Sequence, residues 1–576
     1  MHQDVVRLIE QNHVAMAGLF RRPTRLLTVV AAIAVLYILI IFIPKPREEL
    51  YGFQYFRSSF DWSTVPERNP VAKLTQLPRG SPKRLPKFQH DFASDKAPSR
   101  ERLDVLESRR SEIRLAFVKS WNSYKKYAWM YDELTPVSGE GKDTFGGWAA
   151  TLVDTLDTLW IMELGDEFRH AAAAAVTLDW SKTKDTSCNF FETTIRHLGG
   201  LLSAYDLSKE AALLEKAIEL GDMLYTAYDT DNRMPPSTWT STSRRRGCWC
   251  PARTIQFTRL AQLTGQDKYY DAIDRVAQAL EQTQNSTKLP GMWPTFLNMR
   301  NLDFSGQRSF TLGYLPKMYA MVGGLEPMYE KMYRDAMDAV TKHLLFRPMT
   351  PDQDDILFTG TVYVSSQDGP ELEAEGQHLG CFVGGMFALG GKIFNIPEHV
   401  KYAEKIARGC AWAYKAFPSG IMPETFTLYP CPSLEPCPWD EDQWTATGDK
   451  RFPKGFKNVM DPKYILRPEA IESIFFMYRM TGNVEYQEMA WTMFQSIRKA
   501  TETKLAFSAI SDVTLPKGQK TVKKDSMESF WTSETLKYLY LIFSPPDLID
   551  LDKYVLNTEA HPFLRPNAQP GYFTYT

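Results

Sequence analysis

Residues 259–276 read RLAQLTGQDKYYDAIDRV, and residues 317–337 and 476–494 repeat the design as KMYAMVGGLEPMYEKMYRDAM and FMYRMTGNVEYQEMAWTMF. Each stretch is an apolar helical segment, then a turn that contains glycine, then an amphipathic helical segment. Similar turns fall near Gly165, Ser208 and Gly391. Self-similarity of this length is typical of stacked helical hairpins. The repeat therefore predicts an all-α fold built from pairs of antiparallel helices.

The helical pattern predicts fourteen helices, or seven pairs, which begin near residues 109, 150, 166, 191, 209, 252, 268, 309, 326, 376, 398, 467, 484 and 527. In each predicted pair one helix is apolar and the other has a charged face. TLVDTLDTLWIM (151–162) is an example of the first kind, and KYAEKIARG (401–409), from another pair, is an example of the second. A closed ring would bury the apolar helix of each pair inside. An open helical solenoid fits the same count, so the count does not decide between the two.

The N-terminus carries a membrane signal. Residues 26–43 read LLTVVAAIAVLYILIIFI, eighteen residues without a charge. At about 1.5 Å per residue, this run is just long enough to cross a bilayer core. Three arginines precede it, so the positive-inside rule predicts a cytosolic tail at 1–25 and a luminal remainder. A cleaved signal peptide is the alternative, but Pro44 and charged residues follow the run instead of a small-residue cleavage site. An uncleaved transmembrane signal anchor is favoured.

The composition separates two luminal parts. Residues 44–104 are rich in proline and scattered charge without a sustained apolar period, which predicts a stem between the anchor and a large domain at 105–576. The net charge of −2 over 576 residues gives no reason to expect nucleic acid as a partner. Seven cysteines leave at least one unpaired, and a luminal domain permits disulfides. A short bridge between Cys431 and Cys437 is an open possibility.

Acidic side chains recur on the segments that we predict to be inner. Spacings of three or four residues place pairs on one helix face: Asp154 with Asp157, Glu192 with Arg196, Glu469 with Glu472, and Phe530 with Glu534. A single such acid is ordinarily a helix N-terminal residue or an ion-pair partner. Five or more at the same end of successive apolar helices indicate a shared polar funnel, because burying an unpaired charge is very costly. Converging carboxylates suit Ca²⁺ binding and glycoside hydrolysis.

Eight segments carry a family resemblance: ATLVDTLDTLWIM, FETTIRHLGGLLSAY, TPDQDDILFTG, HLGCFVGGMFALG, SGIMPETF, LRPEAIESIFFMYR, MESFWTSETLKYLYL and VLNTEAHPF. Together they resemble glycoside hydrolase family 47, the class I α-1,2-mannosidases, over about residues 105–576, with fungal-type members most similar. The resemblance implies an (α/α)7 barrel with a C-terminal hairpin plug. It also implies an inverting exo-α-1,2-mannosidase that trims high-mannose N-glycans, here a type II protein of the endoplasmic reticulum or Golgi membrane.

The resemblance also implies roles for individual residues. Glu192 is the candidate general acid, Glu469 the candidate general base, and Glu424 a further acid in the cleft. Positions that hold mannose or the water shell of an ion are matched by Asp154, Arg196, Arg467, Glu472, Phe530, Glu534 and Glu559. The implied cofactor is Ca²⁺, bound through Thr558, with waters and sugar hydroxyls as its other ligands. Cys381 and Cys410 match the family disulfide, whereas His378 is expected to be packed rather than catalytic.

Two departures from the family concern the same site. The family reads FTLG, then a stretch that contains Ala-Asp-Ser and Tyr-Glu, then YLPK; here Gly313 is followed directly by Tyr314. Roughly eight residues are missing, about two helical turns, and they include the catalytic Asp. In addition, Gln256 stands where the family has an acid. Either a misread exon boundary or real divergence explains both, so a catalytically impaired protein that binds mannose-rich glycans like a lectin is the alternative function.

Overall fold

The computed structural model describes residues 53–236, 238–239, 254–295, 306, 309–310, 313–365 and 369–566. The predicted tail at 1–25 and anchor at 26–43 lie outside these residues. Within the described ranges, no helix combines the length and the apolar character needed to cross a membrane.

The repeats fold as the predicted helical hairpins. In the repeat at 259–276, helix Thr254–Thr264 is followed by helix Asp267–Thr283. Helices Glu469–Thr481 and Glu485–Thr501 are joined at Gly482, whose N–H donates to the carbonyl of Tyr478 and whose φ is 70°. Only glycine adopts this left-handed conformation at little cost, which is why glycine ends the first helix.

The hairpins form two layers. The inner layer contains Ala150–Asp154 with Leu156–Ile161, Phe190–Glu192 with Thr193–Leu198 and Gly199–Ser208, Thr254–Thr264, Leu315–Met321, Phe382–Ile393, Glu469–Thr481, and Trp531–Thr535 with Leu536–Ile542. The outer layer contains Arg100–Tyr127, Gly165–Ala175, Ala211–Tyr225, Asp267–Thr283, Met328–His343, Pro397–Ala416 and Glu485–Thr501. Inner segments are buried on almost every side, whereas outer helices bury one stripe, as their amphipathic sequences predict.

The inner layer closes on itself. Each inner segment contacts the next one in chain order, and the last contacts the first. At that closure the hydroxyls of Thr155 and Thr532 are 2.8 Å apart. The structure is therefore a mostly helical (α/α) barrel rather than an open solenoid.

Some helices begin away from their predicted positions. The first helix begins at Arg100 instead of 109, because the side chain of Ser99 caps its first turn. Residues Ser309–Phe310 pair as a strand with Trp293–Pro294, so the next inner helix begins only at Leu315.

Short strands amend the all-α prediction. The antiparallel pairs are Glu133–Thr135 with Glu140–Lys142, Cys188–Asn189 with Thr238–Trp239, Leu345–Phe346 with Phe358–Thr359, Thr361–Ser365 with Gly369–Glu373, and Tyr554–Leu556 with Pro562–Leu564. A three-stranded sheet joins Glu375–Gln377, Thr425–Leu428 and Phe456–Asp461. The C-terminal hairpin at 554–564 is buried and contacts inner helices Gly199–Ser208 and Leu315–Met321.

Residues 53–99, which we call the strap, lie against the outside of the barrel. The backbone N–H groups of Ser59, Asn69, Thr75 and Phe88 donate to the carboxylates of Asp179, Asp229, Asp271 and Asp552, respectively. The Phe88 side chain is 1% exposed and the Arg565 guanidinium lies 4.7 Å from its ring centre. For residues 53–99 the structure therefore shows a packed strap where the composition predicts a spacer.

Two disulfides lie within the described residues. Cys381, just before an inner helix, is bonded to Cys410 in outer helix Pro397–Ala416, as the family resemblance implies. The bridge between Cys431 and Cys437, which the sequence left open, is also present. Cys248 and Cys250 lie outside the described residues.

Candidate active site

A cavity of about 330 Å³ lies where the inner segments begin. Its wall comes from the first turns of five inner segments and from the turn of the C-terminal hairpin. The lining residues are Phe191, Glu192, Ile195, Arg196, Gly313, Tyr314, Lys317, Leu379, Phe382, Arg467, Glu469, Glu472, Phe530, Glu534, Thr558 and Glu559. Most of the residues that the sequence singled out are thus brought together, as expected for acids placed at the same end of successive helices.

Glu192 and Arg196 form one side of the cavity. The Asn189 side chain accepts hydrogen bonds from the backbone N–H groups of Phe191 and Glu192, so it caps the helix that presents the glutamate. The backbone then continues as the π-helix Thr193–Leu198, a local form that is frequent at functional sites. Arg196 Nε donates to Glu192 Oε2 at 2.8 Å.

Arg196 also joins this side to the floor of the cavity. Its Nη1 donates to Ser529 at 2.8 Å and to Glu559 at 3.1 Å. The guanidinium lies 4.8 Å from the ring centre of Phe145 and 5.7 Å from that of Phe530. Arg196 therefore contacts two aromatic rings as well as the polar residues of the floor.

Glu469 is held on the other side of the cavity. Its Oε1 accepts from Arg467 at 3.2 Å, and its Oε2 is 3.2 Å from His378 Nδ1. Although burial alone would raise the pKa of Glu469, the His378 hydrogen bond and the Arg467 charge lower that pKa below its usual value. His378 is buried, as expected, but it contacts a candidate catalytic residue.

Glu424 lies outside the lining of the cavity. Its Oε2 accepts from Arg467 Nε, so Glu424 holds the arginine that in turn holds Glu469. The other oxygen, Oε1, is buried and has no hydrogen-bond partner among the described residues. A catalytic role for Glu424 stays a prediction, and its position favours a supporting one.

The floor of the cavity is strongly acidic. Burial, reinforced by the charges of neighbouring carboxylates, raises the pKa of Glu472 and, more strongly, that of Glu534. The pKa of Glu559 is raised to about 7 by burial, against the lowering effect of Arg196. Lys317 Nζ lies 3.4 Å from Glu472 Oε1 and forms an ion pair with it. Three carboxyl groups thus share the floor with the charges of Lys317 and Arg196.

Asp154 is fully buried and is not part of the lining. Its carboxylate accepts from the hydroxyls of Ser529 and Ser533 and contacts His561 Nε2 at 3.0 Å. Arg196 Nη1 lies 3.6 Å away. Asp154 therefore contacts Arg196 from the side away from the cavity, and its role in holding mannose or the water shell of an ion stays a prediction.

The wall at residues 313–317 reflects the sequence departure. Gly313, Tyr314 and Lys317 line the cavity there, and none of these described residues is an acid. Gln256 is fully buried in helix Thr254–Thr264 and does not line the cavity. The described part of this wall thus contributes no carboxylate in place of the Asp that the family resemblance implies.

Sequence reasoning did not single out three polar contributors: Lys317, the His378 contact with Glu469, and His561 behind the floor. A lysine in the first turn of an apolar helix, as in YLPK, was the available signal for Lys317. The histidines gave no comparable signal, because their partners are 91 and 407 residues away in the chain.

The (α/α) barrel and its converging carboxylates have the fold and the paired acids of a glycoside hydrolase. The profile of glycosyl hydrolase family 47 matches residues 116–565, and the chain belongs to this family. A mannosyl-oligosaccharide 1,2-alpha-mannosidase of Arabidopsis thaliana is 34% identical over 484 residues, which are 80% of this chain and 79% of that relative.

Two further relatives agree. The endoplasmic reticulum mannosyl-oligosaccharide 1,2-alpha-mannosidase of Homo sapiens is 35% identical over 471 residues, 77% of this chain but 62% of that protein. The solved structure of the alpha-1,2-mannosidase from Trichoderma reesei superposes with a TM-score of 0.71 at 29% identity, covering 80% of this chain and 99% of that one.

Proposed function

We propose that this chain is an inverting exo-α-1,2-mannosidase that removes terminal α-1,2-linked mannose from high-mannose N-glycans. The observation that carries the proposal is that Glu192 and Glu469 line one cavity, each held by its own arginine. At about 330 Å³ the cavity is at the small end of ligand pockets, which span ~300–1,000 Å³. That size suits one terminal sugar and favours exo cleavage.

The two glutamates have different roles. Glu192 protonates the leaving oxygen, and Arg196 orients it. Glu469, which His378 and Arg467 keep ionised, takes a proton from the attacking water. Inversion requires the two carboxyl groups to stand ~6.5–9.5 Å apart, with room for this water. Phe530 offers the sugar an aromatic face, and Asp154 orients Arg196.

The residues at the floor fit Ca²⁺. The Thr558 hydroxyl oxygen is buried and has no hydrogen-bond partner in the described part of the chain, although it lines an acidic cavity. No group of three or more His, Cys, Asp or Glu side chains in the described ranges is arranged to hold a metal ion. With its unpartnered hydroxyl, Thr558 would hold the ion through its hydroxyl and backbone oxygens. Ca²⁺ supplies a hard cation that binds sugar hydroxyls and water.

The proposal extends to the whole protein. The barrel is of the (α/α)7 type and the hairpin that carries Thr558 plugs it. Residues 26–43 anchor the protein in the endoplasmic reticulum or Golgi membrane with the barrel in the lumen, where N-glycans on glycoproteins are its partners. The apolar run with arginines before it supports this topology.

A second function is favoured by one observation, the wall at 313–317 without an acid. A barrel that binds mannose but hydrolyses it slowly would act as a glycan-binding protein. Incubating the full chain in detergent with Ca²⁺ and a high-mannose N-glycan separates the two. Loss of hexoses by mass spectrometry, with β-mannose as the first product by NMR, supports the mannosidase. Unchanged mass with measurable binding supports the lectin-like alternative.

Glu469→Gln is the matched control for this experiment. It keeps the shape of the side chain but removes the base, and general acid–base catalysis is typically worth ~10²–10⁴-fold. Binding without hydrolysis by this variant, next to hydrolysis by the parent, assigns the activity to the barrel. Equal hydrolysis by both would contradict the assigned base.

A further inference from the structure

One histidine connects the turn that carries Thr558 and Glu559 to two buried aspartates of the barrel. His561 is fully buried; its Nδ1 lies 2.8 Å from Asp157 and its Nε2 lies 3.0 Å from Asp154. Both aspartates are fully buried on the first inner segment. Since a carboxylate faces each ring nitrogen, both nitrogens donate, and the ring bridges the two acids as a cation.

Further contacts surround the His561 ring and the aspartates that it bridges. Asp157 also accepts from Lys537 at 2.9 Å and from Ser203 at 2.8 Å. The His561 ring packs on Gly199, where an added Cβ would lie 2.8 Å from its Cδ2. Only a residue without a side chain leaves room for the ring at this point.

The turn itself needs external support. The Asn557 side chain accepts from the backbone N–H groups of Glu559 and His561, both at 2.8 Å. Ala560 has a φ of 56°, a left-handed conformation that costs a non-glycine residue energy. Its carbonyl accepts from Lys537 at 2.9 Å. Strain of this kind persists only where the surroundings hold it. The turn has two ionic contacts of this kind with the inner layer, His561 with Asp154 and Asp157, and Glu559 with Arg196.

We propose that His561 is a positioning residue. By bridging Asp154 and Asp157, it fixes the position of the Thr558 turn at the floor of the cavity and orients Asp154 toward Arg196. The inference rests on the proposed function, since it assigns His561 to the calcium and mannose site of that function. His561 touches neither sugar nor ion, and acts through Thr558 and Arg196.

The test compares Ca²⁺ binding by the full chain with that of three variants, using calorimetry below each melting temperature. We expect His561→Gln, which has one donor nitrogen in place of two and no positive charge, to raise the Kd for Ca²⁺ by ~10–100-fold, as removal of outer-shell partners does. Asp157→Asn should act in the same direction and decides the matter if His561→Gln does not fold. A weaker hold on Arg196 should also raise KM for a high-mannose glycan.

His399→Gln is the matched control. His399 is also buried and its Nδ1 lies 2.8 Å from the Tyr333 hydroxyl, but on an outer helix. It should lose stability without a change in the Kd for Ca²⁺. Parent-like Kd values for His561→Gln or, if that variant does not fold, for Asp157→Asn would overturn the inference alone. Absence of Ca²⁺ binding by the parent would overturn the calcium assignment and the inference with it.

Discussion

At the residue scale, the two candidate catalytic acids are distinguished by their partners. Glu192 has an arginine on one side and is the more exposed, with 22% of its side chain accessible against 10% for Glu469. Glu469 has both an arginine and a histidine, which together favour its ionised form. Different surroundings allow one of two carboxyl groups to act as an acid and the other as a base.

The lowered pKa of Glu469 predicts how activity depends on pH. Protonation of the base stops the reaction, so activity should fall as the pH drops through the pKa of Glu469. Because that pKa lies below the ordinary 4.5, the acidic limb of the pH–rate profile should lie below pH 4.5. His378→Leu removes a donor and should move the limb to higher pH, and relative rates suffice to measure it. An unmoved limb would mean that His378 does not act on the base.

Thr558 gives a prediction about metal removal. Thr558→Ala should weaken Ca²⁺ binding, because the orphaned hydroxyl is the side-chain ligand that we propose. Binding to the native state stabilises it by mass action, by ~2.7 kcal/mol at a ligand concentration of 100 Kd. Adding chelator should therefore lower the melting temperature of the parent but not that of Thr558→Ala. A parent whose melting temperature ignores chelator would show that the calcium assignment is wrong.

Much of the site could be predicted from sequence, for a physical reason. Acids in the first turn of apolar helices must meet at one end of a ring, so the helical pattern alone places Glu469 and Glu534 there. The sequence does not predict whether an acid lines the cavity or lies behind its wall. Asp154 and Glu472 look alike in sequence, yet only Glu472 lines the cavity. Contacts between distant segments, such as that of His378 with Glu469, leave no local pattern.

At the scale of elements, the strap makes a clear prediction. Phe88 is buried under Arg565, close to the hairpin that carries Thr558. Phe88→Ala should destabilise the barrel by ~3–5 kcal/mol, as large-to-small changes in cores do. Leu74→Ala, in the same strap but 37% exposed, is the control and should change little. Equal stability of the Phe88 variant and the parent in urea unfolding would show that residues 53–99 are a spacer after all.

The apolar period of the sequence predicted the helices of the barrel, in which buried residues recur regularly. It failed for the strap, in which they do not. The hairpins joined at Gly265 and Gly482 begin within two residues of the expected positions. The strap has no apolar period because it is held by backbone N–H groups that donate to distant carboxylates. Proline-rich composition therefore indicates the absence of helix, but it does not distinguish a free stem from a packed one.

At the scale of the whole molecule, closure of the barrel brings the residues of the site together. Acids from inner segments far apart in the chain share one cavity only because the last inner segment contacts the first. In a closed barrel, a missing part of one wall leaves that side of the cavity without its carboxylate. Gly313 is followed directly by Tyr314, and inner helix Leu315–Met321 with the residues just before it contributes no described carboxylate to the cavity.

The most direct test is the rate at which the 576-residue chain trims a high-mannose N-glycan with Ca²⁺ present, beside a variant with a family-like Ala-Asp-Ser insert between Gly313 and Tyr314. Both should bind the glycan, and both should release β-mannose first. The unmodified chain should be at least ~100-fold slower, because positioned acid–base groups are each worth ~10²–10⁴-fold. Equal, normal turnover would contradict the assignment of the broken wall, and an absence of binding and hydrolysis in both would contradict the mannosidase itself.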